Sequence, residues 1–328
     1  MKERILGRTG ASVSEVGLGC WQLGGNEWGD MTEERAQEIL NAAADSGVTF
    51  YDTADVYGLG VSENRVGSFL EEAEKDFFVA TKAGRFPEPG WPDNFSLGVL
   101  REHIEASRER LGVERLDLLQ THCIPKEVME EGQVYDSLQQ LQDEGLIRNF
   151  GASVETIEEA RVCLQQDGVS SLQIIFNLFR QDPVDALLAE AQAKDVGIIV
   201  RLPMASGLLT GKFNVNTTFP ENDHRRFNRD GQEFNVGETF AGLPFKKGVE
   251  LADELRGMVP DGMSMAEMAI RWILDHEAVS VVIPGASSPE HVRQNAGVSE
   301  LPPLSADLHK RLRDFYGEEV KPHVRGEI

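Results

Sequence analysis

An α/β fold of the (β/α)8 TIM-barrel type is what this chain predicts, on three observations. Short apolar β segments alternate with helical patterns throughout, which is the signature of a parallel sheet with crossover helices. The β segments number eight, enough for the sheet to close on itself. The 328 residues suit one such barrel, whose core takes ~250 residues before insertions, so residues 1–328 are read as a single domain with no internal boundary.

The elements follow in order. Ile5-Leu6 and Val13-Ser14-Glu15 flank the turn Gly7-Arg8-Thr9-Gly10, which predicts a small N-terminal β-hairpin over the barrel floor. Strands are expected near 16–20, 47–52, 77–82, 116–121, 148–152, 172–176, 197–202 and 280–283, each a short apolar run of the kind a buried parallel strand requires. Helical periodicity covers 32–44, 62–72, 97–111, 134–144, 157–166, 183–193 and 289–295. Thr32 is placed to cap the first helix, with Glu33 and Glu34 in its first turn and Arg35, not Glu, at the third position, so the capping box is partial. Residues 213–243, rich in Asn, Gly, Pro and Arg, form a long loop at the C-terminal mouth, where a cofactor lid would be useful. The tail after Val320 has no strong pattern and is expected to be mobile.

The chemistry concentrates at the C-terminal ends of the strands. Phe50-Tyr51-Asp52-Thr53-Ala54-Asp55-Val56-Tyr57-Gly58 sets a carboxylate and a phenol five residues apart where a strand enters a loop. The run 77–82 ends in Lys82, and 116–122 ends in His122. Strand-end charges are commonly just solvated, and a buried Asp–Lys pair is often only structural. Chemical fit favours catalysis here. A phenol with a pKa of about 10 donates a proton poorly near neutrality unless a cation stabilises its phenolate. Lys82 supplies that cation, Asp52 holds it, and His122 can hydrogen-bond an incoming oxygen.

Composition narrows the partners. The net charge of −23 disfavours a nucleic-acid or anionic-membrane partner, since both need a basic footprint. It suits a high-salt cytoplasm and ordinary solubility alike. No apolar run approaches the ~20 residues of a membrane span, and Met1-Lys2-Glu3-Arg4 lacks a signal peptide's apolar region, so a cytoplasmic location is expected. Cys20, Cys123 and Cys163 have neither disulfide nor zinc spacing. Cys163 reads as core, Cys20 and Cys123 as pocket-lining candidates, and no metal is expected.

Seven segments in order resemble the aldo-keto reductase family, in the manner of its bacterial-type members: Asp52 to Gly58, Thr81-Lys82, Gln120-Thr121-His122, Gly151-Ala152-Ser153, Gln173 with Asn177, Gly207-Leu208-Leu209-Thr210-Gly211-Lys212 and Ile283-Pro284-Gly285-Ala286-Ser287. The resemblance implies hydride transfer between a nicotinamide cofactor and an aldehyde, ketone or the corresponding alcohol, a sugar among the candidates. Asp52, Tyr57, Lys82 and His122 would be catalytic. NADP(H) is the expected cofactor, with NAD(H) as the alternative, bound without a Rossmann fingerprint. Gly17-Leu18-Gly19 indeed fails to continue as one, being followed by Cys20-Trp21-Gln22.

By the same resemblance, Ser153 and Gln173 would hydrogen-bond the nicotinamide carboxamide, and Gly19, Cys20, Trp21 and Asp52 would also contact the cofactor. Leu202, Pro203, Met204, Ala205, Ser206 and Lys212 would wrap the pyrophosphate, Arg201 would stack on the nicotinamide or reach a phosphate, and Gly285, Ser287, His291, Gln294 and Asn295 would grip the adenosine and its 2′-phosphate. Three departures stand out: Val154 where the family usually has Asn, Arg201 where many members stack an aromatic ring, and no Lys or Arg across 285–287. Arg225, Arg226 or Arg229 of the long loop could instead meet a 2′-phosphate. Trp21, Tyr57, Phe86, Trp91 and His122 are expected to line the substrate side. Phe86 and Trp91 lie in a proline-stiffened loop and could also serve as its anchors. A second reading keeps the cofactor and drops the turnover, making the protein a redox sensor or regulatory subunit. A small-molecule partner is expected; oligomeric state is left open.

Overall fold

Eight parallel strands run in strict sequence order around the molecule in a computed structural model, which describes residues 1–25 and 27–328. They are β1 (Leu18–Gly19), β2 (Phe50–Asp52), β3 (Phe78–Ala83), β4 (Leu116–His122), β5 (Ile147–Ser153), β6 (Val169–Ile175), β7 (Gly197–Arg201) and β8 (Val279–Val282). Parallel bridges from Val16 to Val282 and from Gly19 to Gly285 join the first strand to the last. The sheet is therefore a (β/α)8 barrel, and all eight expected strands are present.

The hairpin Glu3–Ile5 with Ser12–Ser14 closes the barrel floor. Its Leu6 and Val13 complete an interior cluster with Phe50, Ala80, Leu118, Ile199, Val281 and Ile283. The floor end of the interior is thus lined mainly by apolar side chains, and Asp52 and Lys82 lie toward the opposite mouth. A larger apolar layer fills the space between strands and helices, from Ile39 and Leu40 of the first helix to Trp272 and Ile273 near the last strand.

The helices correct several expectations. Thr32 caps Glu33–Asp45 by accepting from the Arg35 N–H. The expected helix over 183–193 is broken into Pro183–Ala186 and Leu188–Ala193, because Leu187 leaves helical geometry. Among the described residues five α-helices were not expected: Lys126–Glu131, the short His224–Phe227 inside the expected long loop, Phe245–Leu255, Met265–Leu274 and Ala306–Phe315. The tail after Val320 is also tied down. Arg325 donates to Gly242 O, Leu243 O and Asp230, and Glu327 O accepts from buried Arg180. Among the described residues no helix is long and apolar enough to cross a membrane.

Gly67 shows how tightly the outer helices are packed. It lies in Val61–Glu72 against the end of Leu97–Leu111, and a Cβ there would fall 2.2 Å from Arg110 O. Alanine would gain about 1 kcal/mol of helix propensity, but the clash is with backbone and must move a helix. Gly67→Ala is expected to lose about 2 kcal/mol net, read as a lower melting temperature; an unchanged or raised one would contradict this packing.

Candidate active site

The four expected catalytic residues meet at the mouth. Lys82 Nζ, on β3, donates to Asp52 Oδ1 at 2.5 Å, to Thr53 O at 2.9 Å and to Tyr57 Oη at 3.1 Å. All three of its donors are thus used. The second carboxylate oxygen of Asp52 accepts from Gln173 Nε2 at 2.7 Å and from Gln120 Nε2 at 3.3 Å. Strand register explains the meeting: Lys82 is level with Gln120, His122 with Ser153, and Ser153 with Gln173. The His122 ring stands edge-on to Tyr57 with centroids 5.7 Å apart.

Burial and neighbouring charge decide the protonation states. Burial alone would lower the Lys82 pKa, but Asp52 and Tyr57 outweigh it and leave the ammonium more firmly protonated than usual. Burial pushes the Tyr57 phenol up to about 12; Lys82 opposes the shift without reversing it. At neutral pH the phenol therefore keeps its proton. Burial, together with Lys82, Arg85 and Arg201, holds His122 well below the usual histidine range, so its imidazole is neutral. Its buried Nδ1 has no partner among the described residues, and since an orphaned buried N–H is rarer than an under-satisfied acceptor, this favours the tautomer with the proton on Nε2.

A cavity of about 1140 Å³ opens above this set. Trp21, Tyr57, Phe86, Trp91 and His122 all line it. Trp21 stacks on Tyr57 at 5.9 Å. Phe86 and Trp91 serve as wall and loop anchor together. Trp91 Nε1 donates to Gly84 O, and buried Asn94 staples the loop through Gly84 O and Phe86 O.

Sequence reasoning missed Glu27, Trp28, Arg85, Glu155, Phe234 and Glu238, which also line the cavity. Their signal is three-dimensional: the loop around residue 28 meets the long loop through a Trp28–Asp223 bridge, with His224 packed 4.8 Å from Trp21 and 4.3 Å from Trp28. Cys123 lines the cavity, Cys163 is core, and Cys20 is buried outside the lining. Cys123 Sγ and carboxylate oxygens of Glu155 and Glu238 lie within 4.8 Å of one another. Arg85 and Arg201 already supply the cationic charge there.

The model for the Aldo/keto reductase family matches residues 15–316. The chain belongs to the aldo/keto reductase family. It is 30% identical to "Aldo-keto reductase YhdN" of Bacillus subtilis over 100% of both chains, and 27% identical to "Aldo-keto reductase yakc [NADP(+)]" of Schizosaccharomyces pombe over 92% of this chain and 88% of that one. Among solved structures, the holo form of aldo-keto reductase AKR11C1 from Bacillus halodurans has a TM-score of 0.77 at 26% identity, covering 96% of each chain. Glycerol dehydrogenase AKR11B4 from Gluconobacter oxydans has a TM-score of 0.77 at 28% identity, covering 97% of this chain and 96% of that one. Aldo/keto reductases are NAD(P)-dependent oxidoreductases, and this chain is such an enzyme by family.

Within this reductase fold the positions expected to hold the dinucleotide separate into two sets. Gly19, Trp21, Asp52, Ser153, Gln173, Arg201, Leu202, Pro203, Met204, Ser206, Gly285, Ser287 and His291 line the cavity. Cys20, Ala205, Lys212, Gln294 and Asn295 do not. Lys212 is exposed, and Gln294 is turned to Glu290. Arg201 neither stacks freely nor reaches outward: it pairs with Glu238 and donates to Val154 O at 2.9 Å. The Ser206 hydroxyl is spent on Glu238 O and the Phe240 N–H. Of the loop arginines, Arg225 is held by both oxygens of Asp223 between Trp28 and Phe219, Arg226 pairs with Glu221, and Arg229 donates to Arg225 O. Of the three, only Arg225 lines the cavity.

Behind the site, Asp55 is fully buried, with neither carboxyl oxygen partnered among the described residues. Burial, then repulsion from Glu63, pushes it up to about 8. A carboxyl with a raised folded-state pKa binds its proton more tightly in the native protein. Its stabilising contribution is complete below the unfolded value near 4 and is lost as pH rises toward 8. Asp55→Asn, which keeps the neutral shape, is expected to flatten the fall in melting temperature between pH 5 and pH 8; an identical fall in both proteins would contradict a neutral Asp55.

Proposed function

We propose that this protein reversibly reduces an aldehyde or ketone to an alcohol, with Tyr57 as the proton donor and NADP(H) as the cofactor. The observation that carries the reading is the contact of a neutral phenol with a fully committed, fully buried ammonium: Tyr57 Oη to Lys82 Nζ at 3.1 Å, with Asp52 behind the lysine.

The residues fit a nicotinamide dinucleotide. Ser153 and Gln173 sit side by side on β5 and β6 at the cavity wall, and together offer the donor and acceptor that a carboxamide needs. From Leu202 to Gly207 the chain bends through left-handed backbone at Leu202, Ala205, Ser206 and Gly207. Such a run of unfavourable dihedrals, three of them in non-glycine residues, is a recurrent feature of ligand-gripping segments. Ser287 lies beside the start of helix Pro289–Gly297, within hydrogen-bonding distance of His291, where a helix N-terminus favours a phosphate. The NADP(H) preference is supported by the cofactor printed in the name of the yeast relative.

When bound, the reduced nicotinamide supplies the hydride. The chain does the rest. Tyr57 donates a proton to the carbonyl oxygen as negative charge develops there, and the Lys82 ammonium stabilises the phenolate left behind. Asp52, held by Gln120 and Gln173, keeps Lys82 charged and aimed. His122 presents its Nε2–H to the same oxygen as a neutral donor. In the alcohol-oxidising direction the phenolate takes the proton back.

Tyr57→Phe removes only the hydroxyl, so carbonyl reduction is expected to fall by about 10³-fold or more while quenching of tryptophan fluorescence by NADPH persists. Turnover equal to wild type would remove Tyr57 from its role. Tight NADPH binding by the wild type without turnover of any aldehyde, ketone or sugar would favour a sensor.

A further inference from the structure

The wall beside His122 carries a charged pair that the proton-transfer chemistry does not use. Arg85 lies three residues beyond Lys82, at the end of β3, and Glu155 two residues beyond Ser153, at the end of β5. Between those strands runs β4, ending in His122. Arg85 Nη2 donates to Glu155 Oε1 at 3.3 Å, so the pair bridges the strand end that carries His122. The loop bearing Arg85 runs close against that strand: a Cβ on Gly84 would lie 3.9 Å from the His122 backbone nitrogen. Both side chains line the cavity and are partly exposed.

Arg85 differs from the other guanidiniums nearby in what it leaves unused. Arg201 is committed to Glu238, Val154 O and Cys123 Sγ, and Arg225 to both oxygens of Asp223. Arg85 makes one hydrogen bond among the described residues, although a guanidinium carries five N–H donors. Glu155 accepts one bond on each oxygen, from Arg85 and from Asn235 Nδ2 at 3.1 Å, and each oxygen has further acceptor capacity. A donor fork and a carboxylate thus face the cavity side by side, next to the group that would hold the carbonyl oxygen.

Charge selects the ligand chemistry. Arg85 and Arg201 stand against Glu155 and Glu238, so this part of the wall is already neutral. An added anion would find no uncompensated cation there and two carboxylates close by. A neutral hydroxyl meets no such penalty, since its oxygen can accept from Arg85 while its proton goes to Glu155.

We infer that Arg85 and Glu155 are specificity-determining residues that read a hydroxyl on the carbon next to the carbonyl, and that the substrates are therefore α-hydroxy aldehydes or ketones. This rests on the carbonyl-reductase reading of the Tyr57 site and adds to it the class of substrate.

The test compares glyceraldehyde with propanal, which has the same carbon chain without hydroxyls, through the ratio of their kcat/KM values in the wild type, Arg85→Met and Glu155→Gln. Taking the ratio within each protein and comparing proteins cancels the different hydration of the two aldehydes. The wild-type ratio is expected to exceed that of Arg85→Met roughly 10- to 100-fold, as loss of one or two charge-assisted hydrogen bonds would give, mostly through KM. Glu155→Gln is expected to lower the ratio less, because it keeps an acceptor. Equal ratios in all three proteins would overturn the assignment. A variant inactive on both aldehydes would place that residue in the chemical step and overturn it as well. Succinate semialdehyde against butanal supplies the anionic arm: an Arg85-dependent preference for the carboxylate larger than that for glyceraldehyde would replace the hydroxyl with an anion. No turnover of either three-carbon aldehyde by the wild type would sink the reductase reading and this inference with it.

Discussion

The buried ion pair between Lys82 and Asp52 is the constraint around which the mouth of the barrel is organised. Breaking such a pair by removing one partner costs about 3–5 kcal/mol, so neither side chain tolerates isolation. Every donor and acceptor of the pair is accounted for by Thr53 O, Tyr57, Gln120 and Gln173. The pair and its partners come from the ends of β2, β3, β4 and β6, so the register of half the barrel is needed to assemble one satisfied charge pair. The floor formed by Leu6, Val13 and Phe50 is apolar, and the pair is satisfied at the opposite end.

The same pair sets the chemistry. A lysine with all three protons committed cannot drift toward solvent, so its charge stays beside the phenol. Burial raises the phenol and the lysine lowers it. The outcome is a tyrosine that is protonated at rest and can yield its proton to a nearby forming alkoxide. Two loops then shape the space above. His224, pushed down to about 4 by burial and therefore neutral, packs against both Trp21 and Trp28, while Arg225 lies over Trp28 and Phe219. This aromatic seam ties the long loop to the loop following β1 and forms the cavity side near Trp21, which stacks in turn on Tyr57.

Much of this was legible in the sequence because it is local. Eight apolar runs became eight strands, and residues at strand ends in a parallel barrel must converge on one mouth, so Asp52, Tyr57, Lys82 and His122 met as expected. The helix Met265–Leu274 carried a readable signal that was passed over: Ser264 and Glu267 form a capping box. The break at Leu187 had no comparable marker, since Pro183 and the run to Ala193 read as one helix. What could not be read is long-range. The anchoring of the C-terminal tail depends on Arg325 meeting Gly242 and Arg180 meeting Glu327. The pairing of Arg201 in the cavity wall depends on Glu238, 37 residues away. The spare donors of Arg85 matter only once Glu155 is seen across the end of β4.

The pH dependence of the wild-type enzyme in both directions tests the central claim most directly. If the proton passes through Tyr57, carbonyl reduction should hold steady through neutrality and decline only at alkaline pH, while alcohol oxidation rises over the same alkaline interval. If instead both directions turn on a group titrating near 6.5, the ordinary range of histidine, the proton belongs to an imidazole, and the assignment of the phenol held by Lys82 is wrong.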